Sequence, residues 1–286
     1  MSGETAFASW EAAVQWLRSQ PNQNELVRDA YYDDPLLEAC ERYRQSEEWQ
    51  TICRWMLGRS GSALDIGAGR GIASYALARG GLRVTALEPD PSSLVGAGAI
   101  RSLARDAVLP IDVVQEFSER LPFADGSFDV AFARAVLHHT EDLGVACKEF
   151  YRVLRPGGLF MAVREHVISR REDLSDFLNA HPLHDLYGGE NAFLLSEYTG
   201  ALRQAGFVIR SVLRPLESPI NYFPHTEDSL REELVARLGR VRGTRPLLRA
   251  LLAPKPVFSS LLRLLSLVDS RPGRLYSFIC DKPEAR

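Results

Sequence analysis

The chain lacks several patterns that would assign a class of protein at once. Its four cysteines, Cys40, Cys53, Cys147 and Cys280, are widely spaced and form no C-x-x-C pair. This spacing favours free thiols over a disulfide or zinc framework. No uncharged apolar run approaches the ~18 residues of a membrane-spanning helix. The first residues, MSGETAF, lack the basic start and apolar core of a secretory signal. We therefore expect a cytoplasmic protein without stable membrane insertion.

The charge balance and composition are ordinary for a globular protein. The 286 residues include 34 Lys and Arg against 37 Asp and Glu, a formal net charge of −3. This balance provides no overall attraction for nucleic acid. The chain has no internal repeat and no low-complexity tract, and 45% of its residues are hydrophobic. Its length fits one large domain or a domain with an elaboration.

A glycine-rich segment is the most informative feature that is present. Gly67, Gly69 and Gly71 alternate within the sequence LDIGAGRG, after a short apolar segment, Ser62–Ile66, and before a predicted helix, Ile72–Arg79. A strand, a glycine turn and a helix in this order let the backbone approach a nucleotide-like ligand.

The spacing of these glycines excludes two common nucleotide sites. A dinucleotide fingerprint needs Gly or Ala three residues after its second glycine, where this chain has Ile72 in one frame and Ser74 in the other. The chain has no Gly-Lys-Ser/Thr, so a phosphate loop of the NTPase kind is disfavoured. Asp65, just before the glycines, suits a ligand with a positive amino group better than a pyrophosphate.

Five motifs carry a family resemblance. They are LDIGAGRG at 64–71, VTALEPD at 84–90, ERLPFADGSFDV at 119–130, VLHH at 136–139 and RVLRPGGLF at 152–160. In this order, the stretch from Ala63 to about Val163 resembles the class I S-adenosylmethionine-dependent methyltransferases. It looks most like the small-molecule group that includes quinone-biosynthesis enzymes. The resemblance implies S-adenosylmethionine as cofactor and methyl transfer to a small-molecule acceptor at oxygen, nitrogen or carbon.

The pattern around these motifs predicts alternating strands and helices. It indicates an α/β fold with a doubly wound, mostly parallel, seven-stranded Rossmann-like sheet, and ligands outside the carboxyl ends of its strands. The predicted strands are Ala63–Ile66, Arg83–Leu87, Asp112–Val114, Phe128–Ala133, Leu159–Arg164, Phe207–Val212 and Arg274–Cys280. Ser92–Ala107 is the clearest predicted helix. Residues 171–200 are expected to be irregular up to a helix at Leu195–Ala205.

We predict three parts. Residues 1–60 form an N-terminal helical cap that either covers the substrate pocket or simply packs on the sheet. Residues 61–225 and 274–286 form the cofactor-binding α/β core. Residues 226–273 form a helical insertion before the last strand, which is basic and amphipathic. Three alternatives stay open for this insertion: a lid on the core, a subunit interface in a homo-oligomer, or contact with a membrane surface or acidic partner.

The chemistry of the cofactor suggests a role for each nearby residue. The three glycines allow its amino-acid end to approach the backbone, and Asp65 helps to place its amino group. Glu88, at the end of the second predicted strand, is a carboxylate that can accept hydrogen bonds from both ribose hydroxyls. Asp90 is a weaker candidate, more typical of a surface charge.

The adenine end departs from the family pattern. The family often has an acidic residue shortly before Leu-Pro-Phe, where this chain has Phe117. We expect Phe117 and Ser118 beside the adenine, with packing in the core as the alternative for Phe117. Glu116 or the local backbone can substitute for the missing acid.

The reaction needs alignment more than a catalytic triad. Methyl transfer from a sulfonium is a direct displacement, and a base helps only where a hydroxyl or protonated amine must lose a proton. The resemblance places Arg134 beside the cofactor through its backbone and His139 near the acceptor, with a helix-capping or core role as the alternative for His139. His166, with Glu165, stands where a base could act, because imidazole titrates near neutrality.

A polar loop at 181–191 holds further candidates. His181, His184 and Glu190 match no metal-ligand spacing, so we expect no metal site. We interpret the loop as facing the substrate through His184, Tyr187 and Glu190, or as an ordinary surface loop.

Two other functions remain as alternatives. The nucleic-acid methyltransferases that modify amino groups resemble one another in an Asp/Asn-Pro-Pro-aromatic segment after the fourth strand, where this chain has ARAV at 133–136. We therefore expect no nucleic-acid partner, and a methyltransferase acting on RNA or protein is the weaker reading. A non-catalytic S-adenosylmethionine-binding module on the same fold is the other, because a fold does not fix a function.

Overall fold

A computed structural model describes residues 7–181, 183–239 and 243–284. Residues 1–6 of the predicted cap, Pro182 of the polar loop, 240–242 of the insertion and 285–286 of the core lie outside the described residues. The strands are β1 (Ser62–Ile66), β2 (Arg83–Leu87), β3 (Ile111–Val114), β4 (Phe128–Arg134), β5 (Leu154–Ile168), β6 (Phe193–Leu194), β7 (Val208–Leu213) and β8 (Arg274–Asp281).

The helices divide into those before, within and after the first five strands. They are α1 (Trp10–Ser19), α2 (Asn24–Asp29), α3 (Leu36–Gln45), α4 (Glu47–Trp55), α5 (Ile72–Arg79), α6 (Ala97–Ala107), α7 (Leu143–Val153), α8 (Asp173–Ala180), α9 (His184–Tyr187), α10 (Leu195–Ala205), α11 (Pro219–Tyr222), α12 (Glu227–Leu238), α13 (Arg245–Leu252) and α14 (Lys255–Val268). Short 3₁₀ turns occur at Pro21–Gln23 and Leu137–His139.

The strand order confirms the predicted doubly wound sheet. The order is β3-β2-β1-β4-β5-β8-β7, and β6 pairs with β5 off this path. Strands β1 to β5 run parallel, whereas β8 is antiparallel to both β5 and β7. The two-residue β6 is an eighth strand that the predicted seven did not include. The carboxyl ends of β1, β2, β4 and β5 therefore share one edge of the sheet.

Both faces of the sheet are buried, which explains the continuous apolar runs in its strands. Phe160 and Phe278 face one side, in a cluster shared with α7 and α10. Met161 and Ile279, the next residues along the same two strands, face the other side, in a cluster shared with α3, α4 and α5. The N-terminal helices thus pack on the sheet.

Two predicted segments differ from the structure. The helix predicted at Ser92–Ala107 begins only at Ala97, because the Ser92 hydroxyl accepts hydrogen bonds from the backbone N–H groups of Leu94 and Val95 and forms a turn instead. The segment 171–200, expected to be irregular before residue 195, contains helix α8. Its Phe177 packs with Ile168 and Ala192 in a small buried cluster, which stabilises the helix.

The insertion folds as three helices with a core of their own. Leu230, Val235, Leu252, Phe258 and Leu262 are buried together. Among the described residues, no single helix has the length and apolar composition to cross a membrane. Helices α13 and α14 meet that test only as a pair, and they are bent by 99° at their junction.

Candidate functional site

The glycine loop, residues 67–71, lies at the carboxyl edge of the sheet between β1 and α5. Its three glycines have φ angles of +61°, +54° and +86°, a region that favours glycine. A Cβ on Gly67 would lie 2.7 Å from Cγ2 of Val136, so the fold requires this glycine. A Cβ on Gly69 would have its nearest neighbour, the carbonyl oxygen of Val95, at 4.0 Å. The loop is therefore open at Gly69, where another molecule can approach the backbone.

The Glu88 carboxylate braces this loop from the end of β2. Its Oε2 accepts from the backbone N–H of Gly69 at 2.7 Å, and its Oε1 accepts from that of Asp90 at 3.0 Å. Burial raises the pKa of Glu88 to about 7, against the two backbone hydrogen bonds, which lower it. Asp90 in turn accepts from the backbone N–H of Ser92 at 2.8 Å, a turn-forming role.

Asp65 lies beneath the loop. Only 1% of it is exposed, and its Oδ2 accepts from the hydroxyl of Ser74 in α5 at 2.5 Å. Burial raises its pKa to about 7. The carboxylate thus fixes the helix that follows the glycines, and its action on a ligand's amino group remains a prediction.

The two residues expected beside the adenine follow β3. Phe117 is 65% exposed, which excludes the alternative that it packs in the core. The Ser118 hydroxyl donates to Oε2 of Glu119 at 3.0 Å. Phe117 is therefore free to stack on a ligand, and its contact with adenine remains a prediction.

A contact that sequence reasoning missed ties the N-terminal segment to the glycine loop. Arg70 is 6% exposed, and its Nη1 donates to the carbonyl oxygens of Tyr31 and Asp33 at 2.9 Å each. It also pairs with the carboxylate of Asp34, which Arg18 contacts from the other side. These contacts hold residues 31–34 against the loop. The sequence gives no signal for this role of Arg70 except its position between Gly69 and Gly71.

A second missed contact is a buried ion pair at the end of β4. The Arg134 guanidinium donates to both carboxylate oxygens of Glu48 in α4, at 2.7 and 3.1 Å, and Glu48 is fully buried. The same guanidinium lies over the rings of Tyr31 and Tyr43. The side chain of Arg134 thus joins the sheet to the N-terminal helices, while the predicted contact of its backbone with the cofactor remains a prediction.

A bulge in β5 points the consecutive side chains of Arg164, Glu165 and His166 toward different partners. The pairing of β5 with β8 shifts register between Ala162 and Glu165, and Arg164 has a φ of +62°. Bulges re-aim side chains, and they are common beside active sites. Arg164 donates to the carbonyl oxygens of Ile220 and Phe223, and burial lowers its pKa to about 10.

The other two side chains of the bulge lead to a group of imidazoles. Glu165 is fully buried and accepts from the backbone N–H groups of Val136 and His138, so it holds the 3₁₀ turn in place. Its Oε2 also lies 2.7 Å from Nδ1 of His138. Burial raises the pKa of Glu165 and lowers that of His138, which favours the neutral form of each group. Glu165 is a positioning residue.

Both predicted catalytic histidines are oriented by a carbonyl oxygen. Nδ1 of His139 donates to Gly189 at 2.8 Å, and Nδ1 of His166 donates to Gly273 at 2.8 Å. A carbonyl oxygen only accepts, so each Nδ1 carries a proton, and Nε2 has a lone pair whenever the ring is neutral. Burial lowers the pKa of His166 well below its usual range, which keeps this ring neutral.

The polar loop meets these rings. We define the histidine cluster as His138, His139, His166 and His181 with Glu190. Nε2 of His138 and of His139 lie 3.9 Å from Oε2 of Glu190, and Nδ1 of His181 lies 3.8 Å from its Oε1. His138 was missed as a candidate, although the His-His doublet is visible in the sequence.

The other residues of the polar loop lie outside this cluster. Tyr187 is 41% exposed and packs against the ring of Trp10, with 5.8 Å between centroids. Nδ1 of His184 is buried without a hydrogen-bond partner among the described residues. The structure therefore brings Glu190 to the histidines, whereas Tyr187 contacts α1.

Comparison with known proteins identifies the segment that carries the glycine loop. Residues 64–162 match a family model described as a methyltransferase domain. A ubiquinone biosynthesis O-methyltransferase of Methylobacterium nodulans is 31% identical over 163 residues, 56% of this chain and 64% of the relative. A demethylmenaquinone methyltransferase of Chlorobaculum parvum is 36% identical over 101 residues, 35% of this chain and 39% of the relative. The chain thus spans between 39% and 64% of these relatives.

Solved structures share the fold over most of the chain. A geranyl diphosphate C-methyltransferase from Streptomyces coelicolor A3(2) has a TM-score of 0.59 at 16% identity, covering 98% of this chain and 99% of that chain. The [4+2]-cyclase SpnF has a TM-score of 0.56 at 21% identity, covering 87% and 82%. The predicted fold is confirmed, and residues 64–162 match a methyltransferase domain, in agreement with the resemblance to the class I S-adenosylmethionine-dependent methyltransferases.

Proposed function

We propose that this protein transfers a methyl group from S-adenosylmethionine to a small-molecule acceptor. The observation that carries the proposal is the open glycine loop, braced by Glu88 2.7 Å from the Gly69 nitrogen, on the same sheet edge as the histidine cluster. The matched relatives are named for ubiquinone biosynthesis and demethylmenaquinone, which supports a small acceptor.

The residues at the loop fit the cofactor. Gly69 leaves room beside its backbone, Phe117 presents an exposed ring, and Glu88 keeps a free lone pair on each oxygen for the ribose hydroxyls. Asp65 acts on the amino group at longer range or through water, because its carboxylate is buried against Ser74. Gly67 and Gly71 shape the loop, Ser118 borders the adenine, and Arg134 borders the cofactor through its backbone.

When bound, the cofactor supplies an electrophilic methyl group. The chain's own residues orient the acceptor and receive its proton. The Nε2 lone pair of His139 or His166 is available to a hydroxyl acceptor, since Nδ1 of each ring already donates to a carbonyl oxygen. This arrangement favours an O-methyl transfer over transfer to carbon.

The N-terminal helices act as the cap. Arg70 holds residues 31–34 against the glycine loop, and the Trp10 ring packs on Tyr32 and Tyr187. Covering both the loop and the polar segment would exclude water during transfer. The insertion extends this cover, because the backbone N–H of Glu227 donates to Glu47 of α4 at 3.3 Å.

The cellular setting follows from the thiols. All four cysteines are free, so we place the protein in the cytoplasm, where thiols stay reduced. Its substrate there is a small molecule, without a nucleic-acid partner.

Calorimetric titration of S-adenosylhomocysteine into the full chain tests the proposal first. We expect one site, and an affinity that drops in Glu88→Ala. Incubation with S-adenosylmethionine and a panel of phenols, amines and quinols, read by mass spectrometry, then tests transfer. If wild type does not bind S-adenosylhomocysteine and Glu88→Ala gives the same titration curve, the proposal is contradicted.

Two further results would replace the proposal with a competitor. Binding without transfer to any acceptor in the panel would favour the non-catalytic module. Salt-dependent retention of RNA on a filter, with methyl groups transferred to it, would favour the RNA enzyme.

A further inference from the structure

The histidine cluster brings together side chains from three separate segments. The ring centroids of His138 and His139 lie 4.2 Å apart, those of His138 and His166 lie 4.7 Å apart, and those of His166 and His181 lie 5.3 Å apart. These rings sit at the ends of β4 and β5 and in the polar loop. Four imidazoles around one carboxylate exceed what a single general base needs.

The donor atoms converge on Glu190. Its carboxylate forms one triad with His138 and His139 and a second with His166 and His181, and within each triad the three ligand atoms lie within 4.8 Å of one another. In a tetrahedral site with bonds of ~2.1 Å, neighbouring ligand atoms are roughly 3.4 Å apart. Side-chain rotations that move each atom by about an ångström therefore suffice to bind one ion.

Three of the four rings are oriented in the way that metal-bound histidines are. Nδ1 is hydrogen-bonded to Glu165 in His138, to the Gly189 carbonyl in His139 and to the Gly273 carbonyl in His166, at 2.7, 2.8 and 2.8 Å. Such outer partners fix the tautomer and direct Nε2 toward an ion. The three outer partners are therefore compatible with a metal ion bound through Nε2.

The fourth histidine supplies an independent observation. Nδ1 of His181 is buried and has no hydrogen-bond partner among the described residues. The nearby Glu190 oxygen, at 3.8 Å, is too distant for a hydrogen bond. A buried polar atom normally has a partner. An ion between His181 and Glu190 would satisfy both atoms.

We propose that the histidine cluster binds one divalent transition-metal ion through Glu190 and at least three of the four imidazoles. Nitrogen ligands with one carboxylate select zinc or a neighbouring first-row ion, whereas magnesium and calcium prefer oxygen. His139 is 42% exposed, which leaves access for one exchangeable ligand. This proposal departs from the expectation, drawn from ligand spacing in the sequence, that the chain has no metal site.

The position of the ion also indicates its use. A bound hydroxyl at the open position would lose its proton more readily, because a metal lowers the pKa of an oxygen ligand. A nitrogen that binds the ion cannot also accept a proton, so the metal would take over the role of a histidine base. This use rests on the proposed methyl transfer, but binding of the ion does not.

Zinc titration tests the site. The full chain is stripped with a chelator, dialysed and titrated with zinc chloride by calorimetry, and cobalt(II) absorption in the visible range reports nitrogen ligation. We expect one zinc ion per chain. Loss of a ligand in His166→Ala or Glu190→Gln should weaken binding about 100-fold, and loss of the outer partner in Glu165→Gln about 10-fold.

His225→Ala is the matched control. His225 lies apart from the cluster, 3.6 Å from Glu233, so its loss should leave zinc affinity unchanged. Circular dichroism checks that each variant is folded, and Glu190→Gln, in a loop, is the variant least prone to unfold. Zinc should raise the melting temperature of wild type and of His225→Ala more than that of His166→Ala or Glu190→Gln.

Two outcomes overturn the proposal: no stoichiometric zinc in wild type, or equal affinity in wild type and Glu190→Gln. Titration with S-adenosylhomocysteine in the same preparations separates the two proposals. If the chain binds S-adenosylhomocysteine but not zinc, only the metal site is contradicted. If it binds zinc but not S-adenosylhomocysteine, only the proposed function is contradicted.

Discussion

The glycine loop and the histidine cluster occupy the same edge of one sheet, but they are built differently. The loop presents backbone atoms to a ligand, because its three glycines have positive φ and the carboxylate of Glu88 accepts a hydrogen bond from Gly69. The cluster offers side chains, whose imidazoles are oriented by acceptors from β5, the polar loop and the turn before β8. A backbone site suits a ligand common to a whole family. A side-chain site can differ from chain to chain, which would suit the proposed acceptor site.

The largest effect should come from removing the support that the two regions share. Arg134 lies on β4, between the strand that leads to the loop and the strand that carries the bulge. Glu48→Ala leaves its guanidinium buried without a counter-ion. We expect the free energy of unfolding, measured in urea, to fall by about 3–5 kcal/mol.

A double variant separates charge from packing at this pair. Glu48→Leu combined with Arg134→Met should recover most of the lost stability, because it removes both charges. A loss below ~1 kcal/mol in Glu48→Ala would mean that the ion pair supports neither region.

The second-largest effect should be a loss of cofactor affinity that is confined to the glycine loop. Glu88→Ala should weaken the binding of S-adenosylhomocysteine about 100-fold, since it removes charge-assisted hydrogen bonds to the ribose. Asp90→Asn, which keeps the acceptor for the Ser92 N–H, is the control and should change affinity less than about threefold. Zinc affinity should stay the same in both variants. A parallel loss of zinc in Glu88→Ala would show that the two regions are one site.

Two glycines sharpen the comparison within the loop. Gly67→Ala places a Cβ against Val136, whereas Gly69→Ala places it in open space. Both pay about 1–2 kcal/mol for a positive φ. We expect thermal unfolding to show the larger loss in Gly67→Ala, and calorimetry to show the larger relative loss of cofactor affinity in Gly69→Ala. Equal losses in both assays would contradict the assignment of Gly69 to the ligand.

The smallest effect should be a pH dependence. Burial raises the pKa of Glu88 to about 7, and the predicted hydrogen bonds from the ribose hydroxyls favour the ionised form. Affinity for S-adenosylhomocysteine should therefore fall below pH 7, by up to about tenfold per unit, and level off above it. Glu88→Gln should remove this slope. Asp65, whose pKa burial also raises to about 7, is one source of any slope that remains.

The sequence was informative where neighbours in the chain are neighbours in space. The glycine loop and Glu88 lie on adjacent strand ends, so a motif and the rule for parallel sheets were enough to predict their edge. The same rule placed His139 and His166 at that edge.

The remaining contacts depend on how distant segments pack. Glu48 and Arg134 are 86 positions apart, and His138 and Glu165 are 27 apart. The bulge at Arg164 alters the direction of the side chains that follow it. No residue type in this segment predicts a bulge. Its side chains come from three segments with no fixed spacing, so the histidine cluster could be found only once the chain was folded.

A crystal structure of the full chain with S-adenosylhomocysteine tests the central claim most directly. We predict that the ribose contacts Glu88, that the backbone beside Gly69 contacts the amino-acid end, and that His139 or His166 lines the cavity beyond the sulfur. A ligand bound away from Glu88, or a cavity beyond the sulfur that contains none of these histidines, would contradict the account.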